Sequence, residues 1–139
     1  MKRSIALVCS LILMMSLFCG SAKAATYASD YLDTYDASLS TGSRSGQLSL
    51  SFCAYASDSM ASIGISSIAV YTAGGSYVKT ISGSTSNGLM ATYSSGHRGA
   101  YSISVTPGQE YYLRLTFVAR DSYSGDSKSY TTNTAMAAR

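Results

Sequence analysis

Leu48, Leu50, Phe52 and Ala54 alternate with Ser49, Ser51, Cys53 and Tyr55, which predicts a strand over residues 47–56 with the first set facing a core. The same period of two recurs over residues 66–72 and 77–82. Ala73-Gly74-Gly75-Ser76 lies between these runs and predicts a β-hairpin. A turn centred on Gly74-Gly75 sets Ile68 opposite Ile81 and Val70 opposite Lys79, whereas a slip of one residue brings Ile68 to Thr80. The segment before the hairpin, holding Asp58 and Gly64, reads as turn-rich. After a loop of Gly, Ser and Asn, residues 89–93 predict a short edge strand and Ser94-Ser95-Gly96-His97-Arg98-Gly99 a further loop.

Alternation resumes over residues 100–106, with Tyr101, Ile103 and Val105 on the apolar side. Thr106-Pro107-Gly108-Gln109 is a turn in which Pro sets φ and Gly accepts a positive one. Residues 111–120 then place Tyr111, Leu113, Leu115, Phe117 and Ala119 on one face and Tyr112, Arg114, Thr116, Val118 and Arg120 on the other. A last strand is expected over residues 127–135. Residues 31–40 admit two periods: Tyr27, Tyr31, Tyr35 and Leu39 recur every four residues, while Tyr35, Ala37 and Leu39 alternate. Ser, Thr and Asp are poor helix interiors, so strand is the better reading. The pattern as a whole, with 12 Tyr, 12 Gly and one Pro, predicts an all-β chain: a single antiparallel β-sandwich of about seven to eight strands.

The start of the chain is of another kind. Met1-Lys2-Arg3, an apolar run from Ile5 to Cys19 and the small-x-small site Ala22-Lys23-Ala24 read as a signal peptide over residues 1–24, leaving a single domain over residues 25–139 that is secreted to the extracellular side. The run is shorter than the roughly 20 residues that a bilayer core requires. Leu17-Phe18 before Cys19 fit a lipoprotein site poorly. No stable membrane insertion of the mature chain is expected.

Charge and cysteine change meaning once the leader is set apart. Lys2, Arg3 and Lys23 account for the whole formal charge of +3, and the remainder is neutral. A chain without a net field is not built to gather phosphates, which argues against nucleic-acid or polybasic membrane roles. Cys9 and Cys19 leave with the leader, so Cys53 is expected to have no intrachain disulfide and to be an inert small apolar residue on a strand. Pairing between chains stays open for it. Lack of a disulfide pair leans toward a bacterial source.

The run Val105-Thr106-Pro107-Gly108-Gln109-Glu110-Tyr111-Tyr112-Leu113-Arg114-Leu115 resembles the loop and penultimate strand of fibronectin type III domains. That resemblance implies an immunoglobulin-like sandwich, with Tyr111 as the tyrosine whose hydroxyl bonds back to the corner backbone. It carries no function. The leader, residues 31–40, residues 60–68, Val78-Lys79-Thr80 and Tyr130-Thr131-Thr132 are similar to short exported proteins of Gram-positive bacteria, a family without an assigned activity. This second likeness implies a small extracellular β-sandwich and supplies no catalytic residues.

Candidate chemistry is sparse. His97 is the lone histidine, no Gly-x-Ser-x-Gly elbow accompanies it, and its setting among Ser, Gly and Arg98 reads as a solvated turn rather than a catalytic centre. Neither CxxC nor HExxH occurs, so no zinc site is expected. Asp30, Asp33 and Asp36 are spaced by three, which splits them between strand faces. Asp121 and Asp126 bracket a loop that could hold calcium, but a solvated hairpin loop is preferred because the EF-hand spacing is absent. Glu110 is the only Glu and has no identifiable partner for glycoside hydrolysis. No catalytic, cofactor or metal residue is therefore assigned, and the chain is read as a non-enzyme.

Recognition is the function class that remains. Tyr, Ser and Gly together make adaptable contact surfaces. Tyr112, Arg114, Thr116 and Arg120, with Tyr71 and Val78 beside them, form the expected partner surface. The preferred reading is a non-catalytic extracellular binding or interaction module for a protein, a glycan or a second copy of itself. A secreted antimicrobial or inhibitory effector is the alternative, and a small hydrolase the least favoured. Absence of Trp weighs against the glycan variant.

Overall fold

Serine and small residues alternating with Leu, Ile and Val carry one strand much further than the turn-like composition around Asp58 suggested: β2 runs over Gln47–Thr72, 26 residues without interruption. The computed structural model describes residues 31–139, so the leader, Tyr27 and Asp30 lie outside the described residues. Before β2 comes β1 (Leu32–Thr41), a strand where the two periods competed. After it come β3 (Tyr77–Ser82), β4 (Met90–Ser104), β5 (Glu110–Arg120), β6 (Gly125–Thr131) and β7 (Ala135–Met136). The described residues contain no helix, and every strand pairing is antiparallel.

β2 is the spine. Its first half pairs with β1 on one side and the second half of β4 on the other. Its second half pairs with β5 on one side, and with the start of β4 and then β3 on the other. The register breaks between Tyr55 and Met60, where exposed Ser57, Asp58 and Ser59 form the irregularity. The chain bends there and folds the sheet over, so that β1 comes to contact β5, β6 and β7. One core fills the space between: Leu39, Leu48, Leu50 and Phe52 from the first half pack with Ile63, Ile65, Ile68, Val70, Leu113, Leu115 and Phe117 from the second. Burying so many aliphatic side chains, each worth about 1.5–3 kcal/mol, is what holds a domain of this size together.

The hairpin register is as expected, with Ile68 opposite Ile81 and Val70 opposite Lys79. β5 also alternates as read, since Tyr111, Leu113, Leu115, Phe117 and Ala119 are all buried. A further loop was expected at residues 94–99, and it is strand instead. Gly96 lies opposite Tyr55 and Gly99 opposite Phe52, inside a continuous β4.

Tyr111 ties the start of β5 back to the turn before it. Its hydroxyl accepts from the Thr106 backbone N–H at 3.2 Å and donates to Gln109 Oε1 at 2.9 Å, with the ring 2 % exposed. Removing only that hydroxyl takes the partner from both the Thr106 N–H and Gln109 Oε1 while the buried ring stays in place. Tyr111→Phe is expected to cost about 1–2 kcal/mol, read as a lower urea midpoint at unchanged slope.

The free edge of β1 is closed by side chains instead of by another strand. Asn133 acts like a neighbouring backbone: its Oδ1 accepts from Leu39 N–H at 3.0 Å and its Nδ2 donates to Leu39 C=O at 2.8 Å. Tyr130 donates its hydroxyl to Asp36 Oδ1 at 2.7 Å and to Ala37 C=O at 3.1 Å. Thr41 Oγ1 reaches Met136 C=O at 2.8 Å. Burial, and then the Asp36 carboxylate, push the Tyr130 phenol up to about 12 from its ordinary 10.0. The folded chain holds this proton more tightly than the unfolded one, so the contribution is complete below pH 10 and is lost as pH rises toward 12. The urea midpoint is expected to fall across that interval, and to fall less steeply in Tyr130→Phe.

Candidate binding face

On the second half of the sheet, the residues that point away from the core meet in rows that cross the strands. One row is Tyr77 on β3, Tyr71 on β2 and Tyr112 on β5, because Tyr71 pairs with both others. The next holds Thr80, Ala69, Arg114 and Thr131, and the one after it Ser82, Ser67, Thr116 and Ser129. No carboxylate occupies any of these positions. Directly opposed residues on neighbouring strands share a face and touch, and the side chains do so here. Tyr71 and Tyr112 stack with planes 9° apart and centroids 5.4 Å apart, and Tyr77 meets Tyr71 edge-on at 5.8 Å. Arg114 lays its guanidinium over the Tyr71 ring at 5.2 Å. Ser67 Oγ donates to Thr116 Oγ1 at 3.2 Å, and the Tyr77 and Thr80 hydroxyls bond at 2.8 Å.

Four of the five expected surface residues, Tyr71, Tyr112, Arg114 and Thr116, are thus neighbours on one face. Arg120 stands apart, two rows further along β5 beyond buried Val118, with its stem over Gly125 at the start of β6. Tyr77 was missed and Val78 named in its place. The reason is an irregularity after Val70, where the pairing moves by one so that Tyr77, and not Val78, comes opposite Tyr71. Mutual stacking is worth about 0.5–1.5 kcal/mol per pair and the guanidinium contact about 0.5–1 kcal/mol, so the rings are set before any partner arrives.

Other sequence candidates have structural partners. His97 lies in β4, opposite Ala54 and not on a loop; its Nε2 meets Gly88 C=O at 2.6 Å and its ring packs on Phe52. Asp121 Oδ1 accepts from the Tyr123 and Ser124 N–H groups, both at 2.7 Å, and these bonds hold its carboxyl below the usual range. Asp126 Oδ2 accepts from Tyr31 N–H at 2.7 Å. Both carboxylates thus serve the β5–β6 turn and its junction with β1, and no cluster of metal-binding side chains occurs among the described residues. Glu110 sits at the exposed start of β5, paired with Met136.

A groove of about 390 Å³ lies on the other half of the sheet, lined by Asp36, Ser38, Ser51, Cys53, Arg98 and Ala100. Its one acid is engaged by Tyr130 and by the Ala37 N–H. Cys53 is disulfide-bonded, which corrects the expectation of an unpaired side chain. The groove therefore presents no free nucleophile, base or metal set, and the tyrosine face is the better organised site.

No family model and no curated protein matches the chain. A solved structure of a family 76 glycoside hydrolase from a bovine Bacteroides thetaiotaomicron strain is similar to it at a TM-score of 0.45 and 19% identity, over 77% of this chain and 21% of that one.

Proposed function

We propose that the protein is a non-catalytic, secreted binding module whose recognition face is the Tyr77–Tyr71–Tyr112 row with Arg114. The observation that carries this reading is the pre-stacked aromatic row capped by a guanidinium, with no carboxylate among the described residues of the three rows. Tyr and Arg are the residue types that concentrate binding energy at protein interfaces, and rings already held in place lose little freedom on binding. The partner that fits is a protein rather than a glycan. A sugar stacks on an open ring face, whereas the Tyr71 ring is already in contact with Tyr112, Tyr77 and Arg114. An acidic group on the partner would meet Arg114 in a forked, two-bond arrangement.

The fold is read as immunoglobulin-like. Supporting this, β1, the first half of β2 and the second half of β4 pair in the order A-B-E, and β3, the second half of β2, β5 and β6 in the order C′-C-F-G, with Tyr111 at the corner. Affinity capture from extracellular material, with Tyr71→Ala and Arg114→Ala run beside the native chain, tests the function. A protein retained by the native chain and lost from both variants supports it. Retention that neither substitution changes would move recognition elsewhere.

A further inference from the structure

Unpaired strand edges invite further strands, and folded proteins guard them. Three of the edges here are guarded. Asn133 and Tyr130 occupy the edge of β1. β6 turns Asp126 and Lys128 toward the core side, opposite Ala119 and Phe117. β3 turns Lys79 inward, opposite Val70, and sends its Nζ to Ser104 C=O at 2.5 Å. The second half of β4 turns no Lys, Arg, Asp or Glu inward, and among the described residues its pairing is with β2 alone.

The bonds at its two ends show which groups are open. In an antiparallel pair, the N–H and C=O of one residue point to the same side, and successive residues alternate sides. Gly96 N–H donates to Ser94 Oγ at 3.2 Å and Gly96 C=O accepts from that hydroxyl at 2.6 Å. Ser104 C=O accepts from Lys79. Residues 96 and 104 therefore face away from β2, and so do Arg98, Ala100 and Ser102 between them. All three are exposed. The edge is a short acceptor with both ends plugged.

We propose that two copies of this chain pair antiparallel along this edge, about a two-fold axis at Ala100. Arg98 of each copy then lies opposite Ser102 of the other, Ala100 opposite Ala100, and each opposed pair exchanges two backbone bonds. The methyl groups at the axis are small enough to face one another. The two Arg98 positions stand four residues apart along the seam, about 13 Å, beyond the roughly 8–10 Å over which salt leaves charges effective. Neighbouring registers fail. Centring on Arg98 sets like charges opposite and runs into the engaged groups of Gly96, and centring on Ser102 runs into the Ser104 carbonyl held by Lys79. The contact is independent of the tyrosine face, which lies on the other half of the sheet.

Sedimentation velocity of the purified protein from micromolar to millimolar concentration tests this. A reversible dimer is expected, and Ala100→Lys, at an exposed position, should raise its dissociation constant about fivefold or more at an unchanged urea midpoint. Mixing Ala100→Lys with Ala100→Asp should restore a heterodimer. A native protein that stays monomeric throughout would overturn the proposal, as would a dimer indifferent to Ala100→Lys, a dimer broken by Tyr71→Ala instead, or a monomer whose β4 edge takes up extended peptides but never its own copy.

Discussion

Phe117→Ala is expected to lower the free energy of unfolding by about 3–5 kcal/mol, the largest stability effect of any single truncation in this chain. The ring is fully buried on β5. It lies 5.3 Å from Tyr35 of β1 and meets Tyr130 of β6 edge-on at 6.0 Å, while Tyr35 and Tyr130 meet at 6.3 Å. Three strands from both halves of the folded sheet thus converge on one side chain, and a cavity there cannot collapse without moving all of them. Loss of the ring also loosens Tyr130, whose hydroxyl closes the β1 edge. Small domains have only about 5–15 kcal/mol in total, so the variant should unfold at a much lower urea midpoint. Phe117→Leu, which keeps most of the volume, should lose less than half as much. A drop of under 1 kcal/mol for the alanine variant would mean that the halves do not close on this cluster.

Tyr71→Ala is expected to weaken partner binding by about 2–4 kcal/mol, roughly 30- to 1,000-fold, with little change in the urea midpoint. Tyr71 is the central ring, touched by Tyr112, Tyr77 and Arg114 together. Truncating it removes the partner's contact, frees both neighbouring rings to rotate and takes away the surface on which Arg114 rests. Tyr112→Ala should cost less because it leaves the Tyr71–Tyr77 pair intact. Tyr93→Ala, at an exposed position away from the row, should leave affinity unchanged. Isothermal titration with the captured protein separates these outcomes, and equal effects from Tyr71→Ala and Tyr93→Ala would sink the assignment.

Much of this architecture was legible because alternation and turn chemistry agreed. Gly74-Gly75 between two β-branched runs set the hairpin register, and Pro107-Gly108 marked the turn ahead of β5. The segments that escaped were those where glycine and serine have a second use. Gly96 looked like a loop residue, yet a Cβ there would stand 2.4 Å from the Tyr55 ring, so glycine is the socket for an aromatic side chain on the neighbouring strand. Gly64 similarly sits inside β2 at φ 139°, where a Cβ would come 2.2 Å from Leu89 C=O. Neither use leaves a hydrophobic period. The proposed binding face was legible as the outward side of β5, because its alternation is regular from Tyr111 to Arg120. Tyr77 was hidden, because a one-residue shift of pairing next to a glycine turn has no local signature.

Backbone amide shifts of the labelled protein, recorded as the captured partner is titrated in, address the recognition face most directly. The largest changes are predicted at Ala69, Tyr71, Tyr77, Tyr112 and Arg114, which share three neighbouring strands. Changes confined to Asp36, Cys53 and Arg98, around the groove on the other half of the sheet, would contradict it.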